Sequence, residues 1–356
     1  MIEEKCESVN SNVRSLLTQE AMEFLLKLHR QFETEMRDLH ELVKQNDEEQ
    51  KGFLPNTKSV RETNWTVKPV RADLQDRRVM VRHSAFDKER LRSSLQMGAR
   101  VFAADFMSDQ FITYNQRMTS HANVNEEIKR NSNMVNVYPT SFVMIPRQWN
   151  MKEENVIVDG MEMSAGLFDF GLYLFHNTVP LLQKKSAPYF GLTGITTYHE
   201  ARFWNSVFTF AEREMKLLEG TVKASVLLGS NSIYQAEEML YELRNHCAGL
   251  HFETNKKENI TDAARYLIKV GHKRNTHVIC DDSSKGCDKR ETNTLEQFEL
   301  ETVSVVEGFD GTCVSDIHTI EMINAIYNHY MPEPNQIWKK RHDCITLMET
   351  ANELTV

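Results

Sequence analysis

The sequence predicts an α/β protein built on a parallel sheet, either closed into a barrel or open and doubly wound. Three observations carry this expectation. From about residue 72 onward, short apolar runs alternate with helical stretches, the pattern left by repeated strand–helix–strand crossovers. The runs are rich in Val, Ile, Leu and Phe, as strands covered on both faces tend to be. No GxGxxG follows the early runs and no Walker motif occurs, which weighs against a dinucleotide-binding sheet.

Taken in chain order, residues 19 to 45 read as one amphipathic helix. Met22, Leu25, Leu26, Phe32, Met36, Leu39 and Val43 recur at three- and four-residue steps between charges. Pro55, Asn56 and Pro69 then punctuate a connector containing Trp65. Residues 1–70 are thus a helical appendage whose stripe must pack on something else, because an isolated helix has nowhere to bury it. Strands are expected at RRVMVRH (77–83), ARVFAADF (99–106), SFVMIP (141–146), TVKASVLL (221–228), THVIC (276–280) and TVSVV (302–306). Helices are expected at 87–96, 167–184, 199–216, 233–246 and 318–330. The polar stretches NKKEN (255–259) and DDSSKGCDKRETN (281–293) read as loops.

Composition narrows the function classes. Forty-two Lys plus Arg against 51 Asp plus Glu give a formal net charge of −9, and no long basic stripe appears, which argues against a nucleic-acid partner. The first dozen residues, MIEEKCESVNSN, lack the basic head and apolar centre of a secretory signal, and no window approaches a membrane span. Six cysteines without a CxxC pair read as reduced thiols, the C-terminal ELTV is not a peroxisomal address, and the expected location is the cytoplasm.

Candidate chemistry is sparse. Asp105, at the end of a predicted strand, suits a metal ligand or base, or else the cap of the following turn. Arg147 in IPRQWN suits an anionic substrate, or else covers Trp149 with its stem. His199 and Glu200 are adjacent and so diverge on a helix, and no His-Glu-x-x-His spacing exists. His176, His246 and His251 have no obvious carboxylate partner in sequence and read as structural or solvated. GLFDFGLYLF (166–175) reads as the packed side of a helix, and KRNTH (273–277) as a short basic turn in a solvated loop.

Longer blocks point to a family. DLQDRRV (73–79), GARVFAADF (98–106), GLFDFGLYLFHN (166–177), HEARFWNSVFTFA (199–211), GTVKASVLL (220–228), MLYELRNHCAGL (239–250) and FDGTCV (309–314) followed by MPEPNQI (331–337) resemble the short, A-type malate synthases. GFLPNTKSVRETNW (52–65) does so too, and the blocks keep the family's order over roughly residues 15–340. The resemblance implies a TIM (β/α)8 barrel at 71–340, an N-terminal helical clasp and connector at 1–70, and a tail at 341–356 as the remnant of the family's C-terminal helical domain. It also implies an ancestral reaction: condensation of acetyl-CoA with glyoxylate, with magnesium polarising the aldehyde, an aspartate removing a methyl proton and an arginine stabilising the enolate.

Carried over position by position, the resemblance implies that this reaction has been lost. The family's TIKATVLIET-like strand ends in a magnesium-binding glutamate; here TVKASVLLGS places Gly229 there. The second magnesium ligand, the aspartate of a GRWDY-like segment, matches Lys256. The catalytic arginine of VRPRGWHL falls on Ile145 of MIPRQWNM, while Arg147 matches the second arginine. In the MADFEDS-like strand end Asp105 is retained, but Met107 and Ser108 follow it. The domain that supplies the family's proton-abstracting aspartate is expected to be largely or wholly absent. Asp105, Ile145, Arg147, Gly229 and Lys256 are therefore expected to be vestigial pocket positions, with no catalytic, cofactor or metal-binding residue among them. The expected role is structural, binding or regulatory, with a protein partner or homo-oligomer. The alternative is an enzyme of the malate synthase type, acting with a domain from a partner or through a rebuilt cluster, for which Asp105, His251 and Glu253 are the nearest material.

Overall fold

The computed structural model describes residues 2–4, 15–46, 52–108, 113–130, 140–253, 261–282, 294–345 and 347. Eight parallel strands close into a barrel in the order β2 (Val79–His83), β3 (Val101–Asp105), β4 (Ser141–Ile145), β7 (Tyr189–Leu192), β8 (Lys223–Leu228), β9 (Cys247–Glu253), β10 (His277–Asp281) and β11 (Gly311–Val314), which returns to β2. Closure removes both sheet edges, and it decides between the two architectures left open by the apolar runs. Successive residues along each strand face alternately inward and outward. Met80, Val101, Ala103, Val143, Ile145, Tyr189, Ile279 and Cys313 fill the barrel, whereas Phe102, Ala104, Phe142 and Met144 pack outward under the helices.

The helical layer comprises α3 (Lys88–Gln96), α4 (Tyr114–Arg130), α5 (Ala165–Gln183), α6 (Tyr198–Glu214), α7 (Ala236–Glu242), α8 (Asp262–Lys273), α9 (Thr294–Glu307) and α10 (Ile320–Tyr330). Their starts are set by ordinary capping chemistry. Asp87 accepts from the amides of Glu89 and Arg90 at α3, Ser164 from Leu167 at α5, and Thr261 from Ala264 at α8.

The N-terminal region clasps one side of this barrel. Helix α1 (Gln19–Asn46) buries Phe24, Leu25, Leu28, Phe32, Met36 and Leu39 against α5 and α6. Each such side chain contributes about 1.5–3 kcal/mol when removed from water. The approach is close at Gly171 of α5, where an added Cβ would stand 2.7 Å from Leu25 Cδ2 and 2.8 Å from Leu28 Cδ1. Between β4 and α5 the chain inserts a hairpin, β5 (Lys152–Val158) and β6 (Met161–Ser164), to which β1 (Ile2–Glu4) adds as a third antiparallel strand. Its Asp159-Gly160 turn takes positive φ at both residues, the pairing that two-residue hairpins favour. Arg30 of α1 grips Asp159 with two hydrogen bonds of 2.7 and 3.0 Å. The connector, which contains the short helix α2 (Lys58–Glu62), is held by Arg274. Its guanidinium donates to the carbonyls of Val60, Arg61, Thr63 and Trp65, pairs with Glu237 and lies 4.1 Å from the centre of the Trp65 ring.

The structure corrects the readings of TVSVV and KRNTH and adds barrel strands that the apolar runs did not announce. TVSVV is not a strand; it forms the last turns of α9, because Gln297, Glu301, Ser304 and Val305 are buried at helical spacing and tertiary packing overrides β-branched propensity. KRNTH is no solvated turn, since Arg274 and His277 are buried. Strands β7, β9 and β11 were not separately expected; β7 and β11 are only four residues long and carry glycine or threonine where an apolar run would signal a strand. No helix among the described residues is long and apolar enough to cross a membrane.

Candidate functional site

The carboxyl ends of the barrel strands converge on a group of charged and polar side chains. Met80 and Arg82 share the inner face of β2, Ala103 and Asp105 that of β3, and Ile279 and Asp281 that of β10. At the rim, Arg82 Nε donates to Asp105 Oδ2 at 2.7 Å, and Arg82 Nη1 stands 3.5 Å from Asp281 Oδ2. Burial works against the charge on Arg82, but Asp105 and Asp281 outweigh it and hold the guanidinium firmly protonated. The same Asp281 oxygen lies 3.5 Å from Nδ1 of His251 on β9, and Cys313 of β11 completes the group. The donor atoms of His251, Asp281 and Cys313 all fall within 4.8 Å of one another, and all three residues are buried. Burial first, offset in part by Asp281, lowers the pKa of His251 and favours its neutral ring.

The residues singled out in the sequence fall into different places. Asp105 sits at the mouth and is fully engaged: besides Arg82, its Oδ1 accepts from the amides of Met107 (2.9 Å) and Ser108 (3.2 Å), so it does cap the following turn. Ile145 is buried in the barrel interior, beside Leu227 and over Gly191, whose missing side chain leaves room for it. Gly229 follows β8 in extended conformation; a Cβ added there would meet no atom within 4 Å. Lys256 lies outside the described residues. Glu253 ends β9 exposed.

Arg147 neither faces an open pocket nor merely covers Trp149. It is buried in a network beneath the hairpin, donating to Asp169 through Nε and Nη2 (both 2.8 Å) and pairing with Glu153 through Nη1 (2.8 Å). Glu153 also receives Arg117 at 3.2 Å, and Asp169 lies 3.4 Å from His121. Burial opposes the Asp169 charge, yet Arg147 and His121 keep its pKa well below the ordinary carboxylate range. Asp169, set within the otherwise apolar start of α5, is therefore the anchor of Arg147. Trp149 instead donates through its indole to Glu200 (2.9 Å), whose other oxygen accepts from the Thr197 amide at the start of α6.

The histidines acquire partners that lie far off in sequence. His246 meets Glu212 at 3.1 Å and Asn205 at 2.8 Å, and His176 donates to the carbonyl of Leu16. The Arg82–Asp281 and His251–Asp281 contacts were invisible in the sequence for the same reason: Asp281 opens a stretch that reads as polar loop.

With the barrel and its mouth established, comparison with known proteins assigns the chain. A family profile described as "Malate synthase, TIM barrel domain" matches residues 141–254. The malate synthase of Myxococcus xanthus (strain DK1622) is 32% identical, in an alignment covering 92% of this chain and 69% of that protein. The chain belongs to the malate synthase family. The malate synthase of Dictyostelium discoideum is 29% identical over the same shares of each chain. A solved structure of the Haloferax volcanii malate synthase shares the fold with a TM-score of 0.54 and 13% identity, covering 73% of this chain and 76% of that one.

Proposed function

We propose that this malate synthase-like chain no longer condenses acetyl-CoA with glyoxylate and serves a structural, binding or regulatory role in the cytoplasm. The observation that carries the reading is the Arg82–Asp105 pair. A guanidinium already neutralises the one carboxylate retained at the family's strand end, and two turn amides take its other oxygen. Magnesium asks for an octahedral set of oxygen donors, usually one or two carboxylates plus water and substrate. Gly229 offers no carboxylate, Asp105 is taken, and Asp281 faces a cation and an imidazole. This donor set does not suit the family's metal. Ile145, an apolar side chain at the position matched to the catalytic arginine, supports the same reading.

A structure determined after soaking with magnesium, glyoxylate and acetyl-CoA tests the proposal. The expected result is no magnesium on protein carboxylates at the strand ends, and a magnesium-bound glyoxylate there would refute it. The role includes association with a second copy or a protein partner; a strictly monomeric chain in sedimentation at high concentration would remove self-association. One observation favours a second reading. Arg82, Asp105, His251, Asp281 and Cys313 form a polar cluster of the kind a rebuilt site for an oxoacid or acyl-CoA would need. Turnover of such a substrate that disappears in Arg82→Met would establish that reading instead.

A further inference from the structure

We propose that His251, Asp281 and Cys313 form a binding site for a transition-metal ion of zinc type at the mouth of the barrel. Three adjacent strands, β9, β10 and β11, each present one donor near the barrel mouth: an imidazole nitrogen, a carboxylate oxygen and a thiol sulfur. Mixed N, O and S donors select zinc-like ions over magnesium or calcium, which prefer oxygen alone. Register brings the donors together, since Asp281 pairs directly with Cys313 across β10–β11 and His251 pairs with Ile279, two residues before Asp281.

His251 is the independent sign of a ligand. It is only 4% exposed, yet neither ring nitrogen makes a hydrogen bond; the 3.5 Å approach of Nδ1 to Asp281 is too long for one. A buried imidazole left in that state is costly as plain packing, whereas a metal would satisfy it. Tetrahedral sites with bonds of ~2.0–2.3 Å set donor atoms ~3.3–3.8 Å apart, so binding draws the trio inward by about an ångström. Arg82 shares the Asp281 oxygen but has its shorter partner in Asp105, so it stays paired when Asp281 turns to the ion. Three protein donors leave a fourth position for water or a substrate oxygen, as in sites where zinc is reactive rather than structural.

The test uses the full chain stripped with chelator, with Co2+ alone as the first probe. One cobalt per chain is expected, with tetrahedral visible bands and a thiolate-to-cobalt charge-transfer band, displaced by Zn2+ and not by Mg2+. Cys313→Ser should abolish the charge-transfer band, and His251→Asn should weaken cobalt binding at least tenfold. Absence of a tetrahedral spectrum, or an unchanged band and affinity in both variants, overturns the site. If circular dichroism shows that a variant is misfolded, X-ray absorption of the zinc-loaded native chain decides: one sulfur among nitrogen and oxygen ligands supports the assignment, and none or several refutes it. These readouts are independent of whether the chain condenses acetyl-CoA, so the two proposals can fail separately.

Discussion

Arg147 shows how a charge that looks functional in sequence can be wholly consumed by structure. Its guanidinium is held by two buried carboxylates, Asp169 and Glu153, and removing it would take from each its nearest cationic partner. Breaking a buried pair in this way costs about 3–5 kcal/mol. Arg147→Met is accordingly expected to lower stability by that amount in urea unfolding, while a loss below about 1 kcal/mol would show that the network adds little. His83 makes stability depend on pH. Burial brings its pKa down to about 4, against a hydrogen bond from Nδ1 to the Ser84 carbonyl that favours the charged form. The fold thus prefers the neutral ring, so this stabilisation is complete above the ordinary histidine range, near pH 6.5, and drains away as pH falls toward 4. The expected loss is on the order of 3 kcal/mol across that window. Unfolding curves of His83→Gln should show a shallower acid slope than wild type, and an identical slope would contradict this origin.

Among the elements, helix α1 and its need for an apolar seat were plain in the sequence, because a 3.6-residue apolar period survives any detail of packing. What the period could not show is the tightness of the seat at Gly171. Gly171→Leu is expected to destabilise the chain by about 1–3 kcal/mol through overpacking, and hydrogen exchange should lose protection selectively along residues 19–46. Uniform loss across the barrel would mean that α1 is not a separable clasp. Helix α9 failed to show itself for the opposite reason: its β-branched TVSVV favours a strand locally, and only the buried Glu301, linked to Gln297 and Thr312, fixes the helical face. Short strands such as β11 are set by pairing with neighbours, which no local pattern records.

For the whole molecule, the parallel α/β class follows from alternation alone, and the closed barrel from the family resemblance. The candidate site was legible only at its edges. Asp105 and Gly229 could be placed at strand ends because each follows an apolar run, but the cluster of Arg82, His251, Asp281 and Cys313 is assembled from four strands, and its members carry no shared spacing. The barrel gathers such residues because every strand ends at the same rim. At that rim a guanidinium now sits on the retained carboxylate, and this arrangement is the basis for reading the malate synthase fold here as separated from its reaction. The most direct measurement is release of CoA by the purified 356-residue chain supplied with acetyl-CoA, glyoxylate and magnesium. The expected rate matches that of a control without glyoxylate, and release that depends on both glyoxylate and magnesium would contradict the account.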